Sequence, residues 1–146
     1  MPTHCHRFPA EMDSIDRAIQ CVRDAGIAAS LPDEQVRKLE LVIEELFTNT
    51  ATHAVRRNGE AIGSSIAATK LYVWIAANPT SKGLDVQYQD DGPAFDPTAI
   101  QADAAGEAVA NARVGGIGRV LICSLPASVS YDRENGRNRV SLHFAR

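Results

Sequence analysis

Apolar residues recur at three- and four-residue steps in the first part of the chain and at two-residue steps in much of the rest. Met12, Ile15, Ile19 and Val22 predict a helix capped at Asp13 and closed at Gly26. A second helix is expected to open at Pro32, because a fixed φ suits the first helical position and the missing N–H had no partner there. It should run through DEQVRKLELVIEELFTNTATHAVRR and end before Gly59. Asp33 and Glu34 in its first turn and Arg56 and Arg57 in its last would match the helix dipole at both ends. Leu39, Ile43, Leu46 and Thr50 fall on one stripe of this helix and predict its core face.

The polar and small residues at 58–68 read as a loop, after which the period changes. KLYVWIAA (70–77) is β-branched and aromatic, and LDVQYQ (84–89) places Leu84, Val86 and Tyr88 on one side, with NPTSKG as the hairpin connection. QADAAGEAVANAR is poor in large apolar residues, and segment 98–114 is expected to be mobile. VGGIGRVLICSL reads as a glycine-rich turn entering an apolar helix. The chain closes with VSYDR, a turn in DRENGRN, and RVSLHF, where Val140, Leu142 and Phe144 alternate with Ser141 and His143. Two alternating hairpins beside helices predict one α+β domain over residues 1–146. Its form is a two-layer sandwich with a mostly antiparallel, mixed sheet and helices on one face.

Composition narrows the function classes. The 146 residues suffice for one self-supporting core. Fifteen Lys and Arg against eighteen Asp and Glu give a net charge of −3, which argues against a protein held to nucleic acid by counterion release. No apolar run reaches the roughly 18 residues of a membrane span, and the N-terminus lacks the apolar core of a signal peptide. Cys5, Cys21 and Cys123 are widely spaced and odd in number, so a cytoplasmic protein with reduced thiols is expected.

Three constellations could carry chemistry. Glu45, Asn49 and His53 are spaced four apart on the shoulder of the second helix's core stripe, where the carboxylate and carboxamide would be expected to face a cleft. A carboxamide oxygen is a hard, neutral ligand for Mg²⁺, and a carboxylate one turn away can orient or deprotonate an attacking hydroxyl. An ordinary solvated helix flank has the same spacing. Asp90, at a strand end, is followed two residues later by Gly92. The carboxylate can accept from an exocyclic amine while the glycine admits a flat ring, although Asp, Gly and Pro also make plain turns. Gly115, Gly116 and Gly118 precede a helix, where backbone N–H groups and the helix dipole can converge on an anion, or the glycines can serve only as the helix entry. No GK[ST] follows, so a P-loop is excluded, and GxGxxG is absent.

Taken together and in this order, the motifs resemble the GHKL ATPase superfamily, and within it the stand-alone anti-sigma-factor serine kinases of bacteria. IEELFTNTATHA is similar to that family's N box, DDGPAFDP to its first glycine box, and VGGIGRVLICSLPASVSYDRENGRNRVSLHF to its second glycine box with the closing hairpin. The resemblance covers nearly the whole chain and implies a Bergerat-type fold binding ATP and Mg²⁺. It implies Glu45 as general base toward a seryl hydroxyl, Asn49 as the Mg²⁺ ligand and Asp90 as acceptor of the adenine amine. Gly92 would pack beneath the ring, and Gly115, Gly116 and Gly118 would belong to a lid over the phosphates. Two partners are implied: a sigma factor held inactive, and a STAS-type anti-anti-sigma protein phosphorylated on serine, with the kinase a homodimer. Neither nucleic acid nor membrane is expected as a direct partner.

Ala94 stands where the family often has a second glycine, Arg119 follows GGIG where a smaller or apolar residue is usual, and Pro126-Ala127 replaces a more usual Met-Asp pair. The loop at 58–68 is also longer than typical. These departures bear on affinity and partner choice. His53 is expected to be a buried or hydrogen-bonded histidine at the helix end, while Arg113 and Arg119 could reach a γ-phosphate or stay solvated. His4, Cys5 and His6 could hold an adventitious Cu²⁺ or Ni²⁺. Cys123 is expected in the core, and Tyr72 and Trp74 in sheet packing. Rival readings are a nucleotide-dependent regulatory binding module without kinase activity and a switch kinase acting on a STAS scaffold without a sigma factor. A two-component histidine kinase would need a dimerisation domain for which 146 residues leave no room.

Overall fold

A computed structural model describes residues 4–61, 70–99 and 116–146. In chain order they form β1 (His4–Pro9), a 3-10 turn (Met12–Ser14), α1 (Ile15–Ala28), α2 (Asp33–Ala61), β2 (Tyr72–Thr80), β3 (Gly83–Asp90), α3 (Gly116–Ser124), β4 (Ser128–Glu134) and β5 (Arg137–Ala145). The five strands make one sheet in the order β1-β2-β3-β5-β4, antiparallel at every described pairing. One face carries the core. Val73, Ile75 and Ala77, then Leu84, Val86 and Tyr88, then Val140, Leu142 and Phe144 are buried there, as their alternation predicts. Against them lie Leu39, Ile43, Leu46 and Phe47 of α2, Val22 of α1 and Ile122 of α3, all buried. Each such side chain contributes roughly 1.5–3 kcal/mol relative to exposure. The architecture is therefore an α+β two-layer sandwich.

The chain order decides which residue meets the end of β3. After β3 the chain returns through α3 to the sheet edge as β4, and β5 inserts between β4 and β3. The last residue of β3, Asp90, then faces Asn138 near the start of β5. Two positions separated by nearly fifty residues of sequence become immediate neighbours.

Several sequence expectations need correction. β1 was not anticipated, because HCHRFP offers only Phe8 as a buried apolar residue and no alternation to read. Asp13 caps nothing: it lies in the 3-10 turn, and α1 begins at Ile15 behind Ser14, whose side chain makes no capping bond. Met12 is exposed, and the buried stripe of α1 is Ala18, Val22 and Gly26. Gly26 does not close the helix, which runs to Ala28 and is followed by Ser30 at φ 59°. A Cβ on Gly26 would stand 3.2 Å from Val36 Cγ2, so this glycine lets α1 approach α2. α2 continues past Gly59 to Ala61, leaving Arg56 and Arg57 before its last turn, and it overlaps the expected loop. The rest of that loop, the expected mobile stretch from residue 100 onward, Arg113 and Gly115 lie outside the described residues.

The two hairpins turn in different ways. β2 extends through Pro79 to Thr80, so only Ser81 and Lys82 connect it to β3. Gly83 at φ 152° presses so closely on the Phe144 carbonyl that no Cβ fits. Asn135 at φ 53° and Gly136 at φ 75° join β4 to β5 in a left-handed pair, the chemistry an Asn-Gly two-residue turn requires. The three cysteines are unpaired, and Cys123 is half-buried beside the fully buried Ile122 rather than in the core. Tyr72 and Trp74 pair on the sheet's outer face at 6.2 Å between rings, with the Arg137 guanidinium 3.7 Å from the Trp74 ring centre. No helix among the described residues is long and apolar enough to cross a membrane.

Candidate functional site

A cavity of about 110 Å³ opens between α2, the end of β3, the following turn and the start of β5. Leu46, Thr50, Tyr88 and Val140 belong to its lining from the core side, and Asn49 and His53 from α2. Gly92, Pro93, Ala94, Phe95 and Pro97 contribute the turn, and Asp90 and Asn138 complete it. The volume is small against the roughly 300–1,000 Å³ of sites that enclose a whole ligand. It suits one planar ring system, with any appended groups outside.

Asp90 is the chemical centre of this cavity. Its Oδ1 accepts from the Gly92 backbone N–H at 2.9 Å and from Asn138 Nδ2 at 3.0 Å. Its Oδ2 has a long contact of 3.4 Å from the Thr50 hydroxyl. Burial raises the carboxyl's pKa above its ordinary value, the bonds from Asn138, Gly92 and Thr50 pull it back, and Asp91 pushes it up again. Asp91 has a separate task, accepting from the Tyr72 backbone N–H at 2.8 Å and tying the turn to β2. Gly92 lines the cavity, and a Cβ there would come within 3.0 Å of Asp90 Oδ1. The glycine therefore lets the carboxylate sit where it does.

Below Asp90 lies a buried hydroxyl pair. Thr50 Oγ1 is 2.7 Å from the Tyr88 hydroxyl, and both reach the Leu46 carbonyl, at 3.0 and 3.1 Å. Full burial pushes the Tyr88 phenol well above its ordinary pKa, so it stays a protonated donor. Among the described residues no buried side-chain nitrogen or oxygen lacks a partner. The cavity's polar floor is thus preorganised rather than strained.

Glu45 lies one helical turn before Asn49 and does not line the cavity. Its carboxylate abuts Gly118 in the first turn of α3, where a Cβ would stand 3.2 Å from the carboxyl carbon and closer still to Oε2. Gly116 is the first residue of α3, so two of the three glycines belong to the helix itself and not to a turn before it. The Glu45 pKa is raised, chiefly by partial burial and secondarily by the charge of Glu44. A carboxylate so shifted is a stronger base than one in water. His53 packs on Phe95 with ring centres 4.7 Å apart, and the Arg119 guanidinium lies 5.1 Å from the same ring. Phe95 thus links the α2 flank to the start of α3.

The fold brings Asn49, Asp90 and Gly92 around one cavity, and sets Glu45 and Gly118 against each other beside it. Sequence reasoning missed Asn138, Thr50's polar role and the Tyr88 hydroxyl. Asn138 was findable: two residues before Val140, it extends the inward parity of β5 and is a polar residue at a core position. Asn49 brings a neutral carboxamide to the cavity lining, a hard oxygen donor of the kind that fits Mg²⁺ shared with phosphate oxygens. No cluster of three or more His, Cys, Asp or Glu that could hold a metal occurs among the described residues. A family model, the histidine kinase-like ATPase domain, matches residues 8–144. A search of curated proteins gave no match.

Proposed function

The chain belongs to the histidine kinase-like ATPase domain family, and on that premise we propose that it is an ATP-dependent protein serine kinase. In this reading it phosphorylates a STAS-type anti-anti-sigma protein and sequesters a sigma factor, acting as a homodimer in the cytoplasm. The observation that carries the enzymatic part is the separation of two carboxylates. Asp90 sits in the ring-sized cavity, bonded for recognition, while Glu45 stands outside it beside the first turn of α3. A pure binding site has no use for the second.

Adenine enters over Gly92 and offers its amine to Asp90. The phosphates extend past Asn49 toward the start of α3. Asn49 would hold Mg²⁺, which neutralises phosphate charge when bound. Glu45 orients the partner's seryl hydroxyl and takes its proton as the serine oxygen bonds to the γ-phosphorus and the bond to the ADP oxygen breaks. The dianionic phosphoserine then weakens the complex with its acidic surroundings, and the STAS protein leaves. The sigma factor can then be rebound.

The test is phosphoryl transfer from γ-labelled ATP, with Mg²⁺ and a lysate of the source organism, using wild type, Glu45→Ala and Asp90→Asn. The expected result is one small protein labelled on serine, absent with both variants. ATP binding without labelling would replace the kinase by a nucleotide-dependent binding module. A labelled STAS protein with no sigma factor co-purifying would leave a switch kinase on a STAS scaffold.

A further inference from the structure

Asn138 is 4% exposed, and its carboxamide is the most heavily bonded polar group near the cavity. Its Oδ1 accepts from the Tyr131 hydroxyl at 2.6 Å, Arg133 Nη1 at 2.9 Å and the Phe95 backbone N–H at 3.1 Å. Its Nδ2 donates to Asp90 Oδ1 at 3.0 Å and to the Pro93 carbonyl at 2.8 Å. Both amide hydrogens are therefore spent on acceptors and the oxygen on three donors. Rotating the carboxamide by half a turn would set an oxygen against the Asp90 carboxylate and the Pro93 carbonyl, and an NH₂ against three donors. Its orientation is fixed from β4, whose Tyr131 and Arg133 supply two of the three donors. Arg133 Nη1 also donates to the Gly92 carbonyl at 3.1 Å, so one guanidinium holds the turn and the amide together.

The consequence falls on Asp90. Gly92 and Asn138 both occupy Oδ1, and Oδ2 keeps only the long Thr50 contact. We propose that Asn138 is a positioning residue that selects Asp90 Oδ2 as the oxygen meeting the base, and that Tyr131 and Arg133 set its orientation. The inference rests on the nucleotide reading above and deepens it. It assigns preference for a base bearing an exocyclic amine to a four-residue network spanning β3, β4 and β5, not to Asp90 alone. The other titratable groups around Asp90 are Tyr88 on β3, Asp91 in the turn, His53 across the cavity on α2 and Arg133 on β4.

Equilibrium binding of Mg·ATP and Mg·ITP across pH tests it, because inosine replaces the amine with a carbonyl oxygen. Asn138→Asp keeps the shape and the acceptor for Tyr131, Arg133 and Phe95 but removes both donors and adds a like charge beside Asp90. Its ATP affinity should fall about tenfold or more at neutral pH, since a bond to a charged group is lost. ITP affinity should stay near wild type, and the loss of ATP binding on acidification should move to higher pH. Tyr131→Phe combined with Arg133→Met leaves Asn138 in place but frees its orientation, and should reduce the ATP-over-ITP preference by a smaller factor. It also keeps the proposal testable if Asn138→Asp does not fold.

Unchanged preference and an unchanged acid limb in the folded variants would overturn the proposal. So would an equal loss of both nucleotides, which a merely structural role produces. Failure of the wild type itself to bind ATP would instead remove the nucleotide reading, and this inference with it.

Discussion

The floor of the cavity and the corner at Glu45 are a few residues apart and built on opposite principles. At the floor, Asp90 is pinned by Gly92 and Asn138, Asn138 by Tyr131, Arg133 and Phe95, and Thr50 and Tyr88 by each other. At the corner, Glu45 is half-buried with its carboxylate against a glycine of α3. In the proposed reading, the groups that would recognise a base are set during folding, whereas the group that would do the chemistry rests on a steric allowance. Preorganised donors and acceptors cost nothing at the moment of binding. The contrast teaches that affinity and turnover should respond to different substitutions.

The largest separation should come from Glu45→Gln. Removing a general base typically costs about 10²–10⁴ in rate, while Mg·ATP affinity, measured by calorimetry, should stay within about twofold because Glu45 is outside the cavity. Equal loss of both would dissolve the distinction between floor and corner. Gly118→Ala should act next. Its methyl group would collide with the Glu45 carboxylate, and the flexible carboxylate would move instead of the backbone. Misplacement on the order of 1 Å costs up to about 10²-fold, so single-turnover transfer should fall about 10–100-fold with thermal stability little changed.

The pH dependence sharpens the same comparison from the other side. Asp90 Oδ1 already accepts from Gly92 and Asn138, so a proton falls on Oδ2 and turns the oxygen proposed to meet the amine into a donor, and burial raises the pKa at which this happens. ATP affinity should therefore weaken on acidification, beginning above the ordinary carboxylate range, by at most about tenfold per pH unit. The linkage to stability has the opposite sign. A raised carboxyl favours the protonated fold, so Asp90's own contribution to stability diminishes as pH rises through its folded pKa. Denaturant titrations of wild type and Asp90→Asn across this range should show that difference.

The legible parts of the molecule were those whose signal is local. Leu39, Ile43, Leu46 and Thr50 repeat at helical spacing, and all four are buried. Glu45, Asn49 and His53 share a shoulder because of the same spacing, and two of them reach the cavity. Asp90 and Gly92 could be picked out because a strand end and a glycine two residues on are adjacent in sequence. The hidden parts depend on pairing across the sheet. The Asp90–Asn138 bond spans 48 positions, and its existence follows from β5 inserting beside β3, an order no local pattern announces. The glycines of GGIG could be read as freedom for a phosphate-binding turn, yet Gly118 is also demanded by a side chain from another helix. β1 was hidden for a simpler reason, since an edge strand of His, Cys and Arg carries almost no hydrophobic alternation.

The most direct test of the account is a crystal structure with Mg²⁺ and a non-hydrolysable ATP analogue. The adenine is expected in the cavity over Gly92, its amine on Asp90 Oδ2, the ion on the Asn49 side-chain oxygen, and Glu45 facing the γ-phosphate without touching the base. A nucleotide bound with its base elsewhere, or with Asp90 out of contact with the amine, would contradict it.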